Sequence, residues 1–182
     1  MDFYSIFKFL HVLTAIAWVG GGLTLFAHSI MGVRAKGDAE LLKTLDMMNF
    51  LGKTWFVPTS MLTLVFGAIT TTLGGLWLEL WVIIGLAGFA STFLTGLLLI
   101  EPTGRRIGEF LQAGQVDKGI AVGKDLIRIG KFDYVVMLVV VADMVLKPSF
   151  ADLWMLAIFA VVIAAGAYFF LFGGKLQQAA TA

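Results

Sequence analysis

YSIFKFLHVLTAIAWVGGGLTLFAHSI, residues 4–30, is an apolar run interrupted by one lysine and two histidines. About 20 apolar residues suffice to carry an α-helix across the hydrocarbon core of a bilayer. No basic segment precedes the run, and it is too long for the apolar part of a cleaved signal, so it reads as a retained anchor. Residues 55–76, 79–100 and 151–173 meet the same criterion. A fifth stretch, 132–146, is shorter and carries Asp133 and Asp143. Ile127 and Ile129 lengthen it, and Arg128 and Lys131 can reach back to headgroups. It reads as a span as well, with a buried helix or a re-entrant segment as the alternative. The sequence therefore predicts an all-α fold, a polytopic membrane helical bundle of five transmembrane helices. Residues 1–176 form one bundle, and 177–182 a flexible tail.

Composition agrees with this reading outward from the first span. The 182 residues are 59% hydrophobic and 14% charged, with a mean hydropathy of +0.94. Soluble domains run nearer 45–50% apolar and about 25% charged, so a soluble fold would have no interior for this much apolar side chain. A net charge of +1 gives no field for nucleic acid. There is no cysteine, which excludes disulfides, thiolate metal sites, iron–sulfur clusters and a cysteine nucleophile. The partner that composition demands is the lipid bilayer.

Lysine and arginine placement gives the orientation. Arg34, Lys36, Lys43 and Lys53 lie between the first two spans. Arg105, Arg106, Lys118, Lys124, Arg128 and Lys131 lie between the third and fourth, and Lys175 follows the fifth. Only Lys8 and Lys147 fall on the other side, a split of 11 to 2. Basic loops stay cytoplasmic, so the N-terminus is outside and the C-terminus cytoplasmic. Tyr4, Trp77, Trp81 and Trp154 then sit at the outer interface, and Trp55, Tyr134 and Tyr168 at the inner one. Trp18 alone sits near mid-membrane.

The basic loops carry helical periodicity. Residues 38–50 place Leu41, Leu42, Leu45 and Met48 on or near one face. Glu101-Pro102-Thr103-Gly104 ends the third span, after which Ile107, Phe110 and Leu111 recur at helical spacing. Gly114 ends that piece, and 117–129 suits another helix. These short amphipathic cytoplasmic helices are expected to lie on the inner membrane surface, unless they are plain solvated connectors. No internal repeat stands out.

Ionisable groups within a membrane are costly, so each is a candidate for function. His11 lies about two turns into the first span, and His28 near its inner end. Trp18 follows His11 by nearly two turns, on the same face. Gly20-Gly21-Gly22 comes next and lets a flat ring or a neighbouring helix approach. His11, Trp18 and Gly21 are thus candidate cofactor contacts, with His11 as the axial ligand of a haem iron, haem b being the cofactor expected. The plain alternative is a histidine bonded to a neighbouring helix, with glycines for packing. His28 is about 25 Å from His11 along the axis and cannot share a metal with it. Asp143 lies at a similar depth to His11 and is a candidate to orient the imidazole from behind or to relay protons. An ion pair with Lys147, four residues on, is the simpler account. Glu79 and Asp133 read as interfacial. The hydroxyls at Thr59, Ser60, Thr63, Thr70, Thr71, Thr72, Ser91, Thr92 and Thr95 read as helix-packing groups. Nothing matches a phosphate loop, a catalytic triad, a zinc motif or paired catalytic carboxylates.

Leu10-His11-Val12-Leu13 through Trp18-Val19-Gly20-Gly21-Gly22 resembles the opening helix of an uncharacterised bacterial family of predicted integral membrane proteins, and that resemblance extends over the whole chain. The same helix is similar to the first helix of the membrane protoporphyrinogen oxidase of haem synthesis, and to that of the copper-resistance D type proteins. The oxidase resemblance implies a haem-ligand role for His11. The oxidase pattern has a lysine in a later span, whereas the third span here has none. The eight methionines form no spaced copper-binding cluster; Met47, Met48 and Met61 read as packing.

The function expected is a haem- or tetrapyrrole-associated redox or accessory protein built around His11. The alternative is a cofactor-free structural or assembly subunit of a membrane complex, or a small transporter. The small-residue faces point to a homo-oligomer or a membrane-complex partner. Reporter fusions at Ala182 and between Gly114 and Asp117 are both expected to report cytoplasm. An external signal from either would overturn the five-span topology.

Overall fold

A helix in an apolar medium must satisfy its own backbone, and these apolar runs do so with long, uninterrupted elements. The computed structural model describes residues 2–34 and 38–172, and among them there is no strand. The predicted tail 177–182, together with Lys36 and Lys175, lies outside the described residues. The helices are α1 (Phe3–Arg34), α2 (Asp38–Leu51), α3 (Val57–Gly74), α4 (Leu80–Thr95), α5 (Glu101–Gln112), α6 (Val116–Leu146) and α7 (Leu153–Ala167). Wider π-helical turns occupy Gly52–Phe56, Gly96–Ile100 and Tyr168–Phe172. Four stretches are long and apolar enough to cross a membrane: Phe3–Gly32, Ala39–Gly74, Leu80–Gln112 and Leu153–Phe172. α6, at 31 residues, is not one of them.

Two boundaries differ from the sequence expectation. The helix of 38–50 does not stop before the second span, and Pro102 does not end the third. α2 continues through the first π turn into α3, and α4 through the second into α5. The reason lies in the prolines. Pro58 and Pro102 have no N–H for the carbonyl four residues back, which normally kinks or ends a helix. In both places a π turn stands immediately upstream. Its closing bond reaches five residues back, from Val57 N–H to the Gly52 carbonyl and from Glu101 N–H to the Gly96 carbonyl. The two sites share the spacing Gly-x5-Pro, Gly52 to Pro58 and Gly96 to Pro102. Likewise, 117–129 is not a separate helix; it is the first half of α6.

Where the chain does turn, left-handed residues stop the helices. Gly75 (φ 65°) ends α3 and Gly114 (φ 71°) follows α5, a conformation glycine adopts without a Cβ clash. Lys147 (φ 50°) ends α6 in the same conformation, with Pro148 preventing continuation. Asp152 accepts hydrogen bonds from Ser149 N–H and Ser149 Oγ, fixing the turn into α7.

The chain divides into two compact units, Met1–Ile83 and Ile84–Ala182. In the first, α1 packs chiefly along α3, with α2 against its other end. α2 buries Leu41, Thr44 and Leu45, and Thr44 presses on Gly32. The rest of α1 faces outward: Phe9, Ile16, Leu23 and Met31 recur every seven or eight residues and are 64, 65, 54 and 66% exposed. An apolar stripe of that kind has lipid, not water, as its natural neighbour.

In the second unit α6 is the central element. It meets α5 through Gly119, against Leu111, and α7 through Val135, against Gly166. α4 reaches α6 at two glycines, Gly85 beside Met144 and Gly88 beside Val140. A Cβ at Gly88 would collide with a branched side chain, which cannot swing away. A Cβ at Gly85 would meet only the mobile tip of Met144. Gly88→Ala is therefore expected to lower stability in detergent by about 1–3 kcal/mol, the usual cost of overpacking. Gly85→Ala should cost less. Thermal melts of the two variants side by side check the order, and the reverse order would refute this packing account.

Candidate functional site

His11 and Trp18 sit on the face of α1 that meets α3, because a seven-residue step returns nearly to the same side of a helix. The half-buried imidazole lies against Gly67 of α3; a Cβ there would come within 2.9 Å of Nδ1 and Cε1. Its Nδ1 is 2.9 Å from the Thr63 carbonyl oxygen. A carbonyl only accepts, so Nδ1 carries the proton and Nε2 keeps the lone pair. Thr63 hydroxyl in turn bonds the Thr59 carbonyl, one turn up its own helix. The orienting acceptor foreseen in Asp143 is here the Thr63 main chain.

Trp18 is 3% exposed, its ring 6.0 Å from Phe56 in a tilted contact. It forms part of the packed interior of the first unit. Gly21 lies under Trp55, whose Cδ1 would be 2.8 Å from an added Cβ. Trp55 Nε1–H donates to the Ala17 carbonyl at 3.0 Å, which holds the edge of the indole against Gly21. Gly20, by contrast, is open on its outer side. Around them runs a half-open cleft of about 390 Å³, lined by Ala17, Gly20, Gly21, Thr24, Leu51, Trp55 and Phe56. Gly21 is ten residues from His11, about 15 Å along the axis, so the cleft is separate from the imidazole. His28 is half-buried farther along α1.

The remaining candidate, Asp143, belongs to the second unit. It is 0% exposed, and neither carboxylate oxygen has a hydrogen-bond partner. Asp133, read as interfacial, is also buried, beside the Thr92 hydroxyl but outside strict hydrogen-bond geometry. Arg128 donates from Nε to the Phe170 carbonyl and pairs through its NH1 group with Asp125. Among the described residues no three His, Asp or Glu side chains converge as a metal cluster.

No protein-family model, curated protein or solved structure matches the chain.

What sequence reasoning missed is the α3 half of the site. Thr63 and Gly67 were visible only as small residues four apart, a spacing that marks one helix face but not its partner. Trp55 read as an interfacial anchor, although a tryptophan just before a proline-bearing span can equally turn inward. Trp55→Phe keeps the ring and deletes the donor to Ala17. It is expected to cost about 0.5–1.5 kcal/mol, the net worth of one hydrogen bond. Thermal melting in detergent checks this, and an unchanged or higher midpoint would show that the bond contributes nothing.

Proposed function

We propose that this chain is a five-span bacterial inner-membrane protein in which His11 serves as an axial ligand to haem iron, in a redox or accessory role. α6 is its fifth span. The N-terminus is external, the C-terminus cytoplasmic, and the α2 and α5 segments are the amphipathic parts of the cytoplasmic face.

One observation carries the ligand assignment: the Nδ1–H of His11 is committed to the Thr63 carbonyl. Histidines that bind metals commonly donate their second nitrogen in this way, which fixes the tautomer, orients the ring and makes the free nitrogen more basic. A bare copper or zinc ion needs three or four protein ligands, whereas haem brings four nitrogens of its own and asks the protein only for axial ones. One oriented histidine suits the second case. When bound, haem b supplies one-electron chemistry. The chain's own contribution is a ring held by Thr63 in the slot that Gly67 leaves, with Trp18 packed on Phe56 about two turns along the same face. Gly21 does not fit the ring-contact role while Trp55 covers it, so a flat ring would meet a different surface.

A cofactor-free reading has its own support. The contacts at Thr63 and Gly67 also describe a clasp between α1 and α3, and the cover over Gly21 describes ordinary helix packing. An absorption spectrum of protein purified from haem-replete cells separates the two. The haem reading expects a Soret band that His11→Ala removes or strongly shifts and His28→Ala leaves nearly unchanged. A colourless protein, in which His11→Ala loses only about 1 kcal/mol of stability, would establish the clasp instead.

A further inference from the structure

Asp143 is a buried group that the His11 reading does not use. It sits on α6 one turn before the Lys147 stop, between Met144 and the glycine face of α4. Its Oδ2 would be 3.5 Å from a Cβ at Gly85, an ordinary contact distance, which places the carboxyl against the glycine face of α4. The carboxyl is wholly sealed, and both oxygens are without a hydrogen-bond partner. α4 and α7 contain no titratable side chain. On α6 itself the nearest titratable groups are Asp133, Tyr134 and Lys147. Lys147 is exposed in the left-handed turn, and its backbone N–H donates to the Asp143 main-chain carbonyl.

A bare carboxylate without partners costs many kcal/mol in such surroundings, while a neutral carboxyl costs far less. A metal cation is not the occupant that suits this place, since hard cations ask for six or more oxygens and the neighbours offer carbon and a thioether. We infer that Asp143 is a proton-carrying site. Sealed between α4 and α6, it holds a proton on one carboxylate oxygen. When the glycine contact at Gly85 opens, that O–H bond breaks, the proton passes to water, and the electron pair stays on the oxygen. Closure follows re-protonation by the reverse step. A residue kept for packing alone gives no reason to retain an acid where leucine or methionine would fill the same space. Acidic side chains in the interior of a helical bundle are among the groups that carry protons in membrane proteins. The inference does not rest on His11 or on haem, and a colourless protein would leave it standing.

Three readouts test it on the full-length protein in lipid nanodiscs. Infrared spectra of the wild type are expected to show a protonated-carboxyl C=O band that moves in heavy water and is missing from Asp143→Asn. Dicyclohexylcarbodiimide, an apolar reagent that adds to protonated carboxyls, is expected to label Asp143, located by peptide mass. Labelling should disappear in Asp143→Asn and persist in Asp152→Asn. Asp143→Leu, which fills the space without a polar group, should melt at the same temperature as wild type or higher, because an unpartnered buried carboxyl is a net cost. A wild-type band that does not shift in heavy water, or the absence of any adduct at Asp143, would mean a permanently sealed acid and overturn the proposal. So would a carboxyl band that is kept in Asp143→Asn and lost entirely in Asp133→Asn. The wild-type measurements decide the matter even if the asparagine variant fails to fold.

Discussion

Backbone hydrogen bonding away from water governs this chain more than any side-chain contact. Every N–H and C=O in an apolar stretch must find a partner within its own helix, because lipid offers none. Two prolines break that rule at Pro58 and Pro102, and the helix continues through each because a π turn, with a bond that reaches one residue farther back, stands just upstream. From that repair follow the long elements: a second helix that begins in the loop and a third that runs on past its span. Without it, α2 and α5 would be separate pieces with four unsatisfied groups at each new end.

Small residues then decide which helices come close. Gly32 admits Thr44, Gly67 admits His11, Gly21 lies under Trp55, and Gly88 admits Val140. Each is a place where one helix offers a gap and its neighbour a side chain, so the interior consists of paired holes and fillings. The polar groups among them follow a local economy, with threonine and serine hydroxyls returning to carbonyls three or four residues back on their own helix. His11 departs from this pattern by reaching another helix, and Asp143 departs further by reaching none.

The spans were legible because length and apolarity speak for themselves: residues 4–30 or 151–173 could hardly be anything else. The joints were not, because proline is the usual sign of a helix end, and a π turn upstream of it leaves only the faint mark of a glycine six residues earlier. Of the site, His11 and Trp18 could be read, since a shared face follows from spacing within one helix. Thr63, Gly67 and the cover of Trp55 over Gly21 could not, because they depend on the register between two helices. Asp133 read as interfacial, whereas it is buried near Thr92 of α4, a neighbour that depends on the register between two helices.

The second helix also has a mechanical meaning. From Ala39 to Gly74 it is one rod of 36 residues, about 54 Å long at the α-helical rise. Its near end rests on α1 through Leu41, Thr44 and Leu45, and its far half carries Thr63 and Gly67. The face of α2 that seats on α1 and the carbonyl that orients the half-buried imidazole therefore belong to one unbroken helix, so a residue inserted or deleted between Leu45 and Thr63 would turn the carbonyl by about 100° relative to the seat.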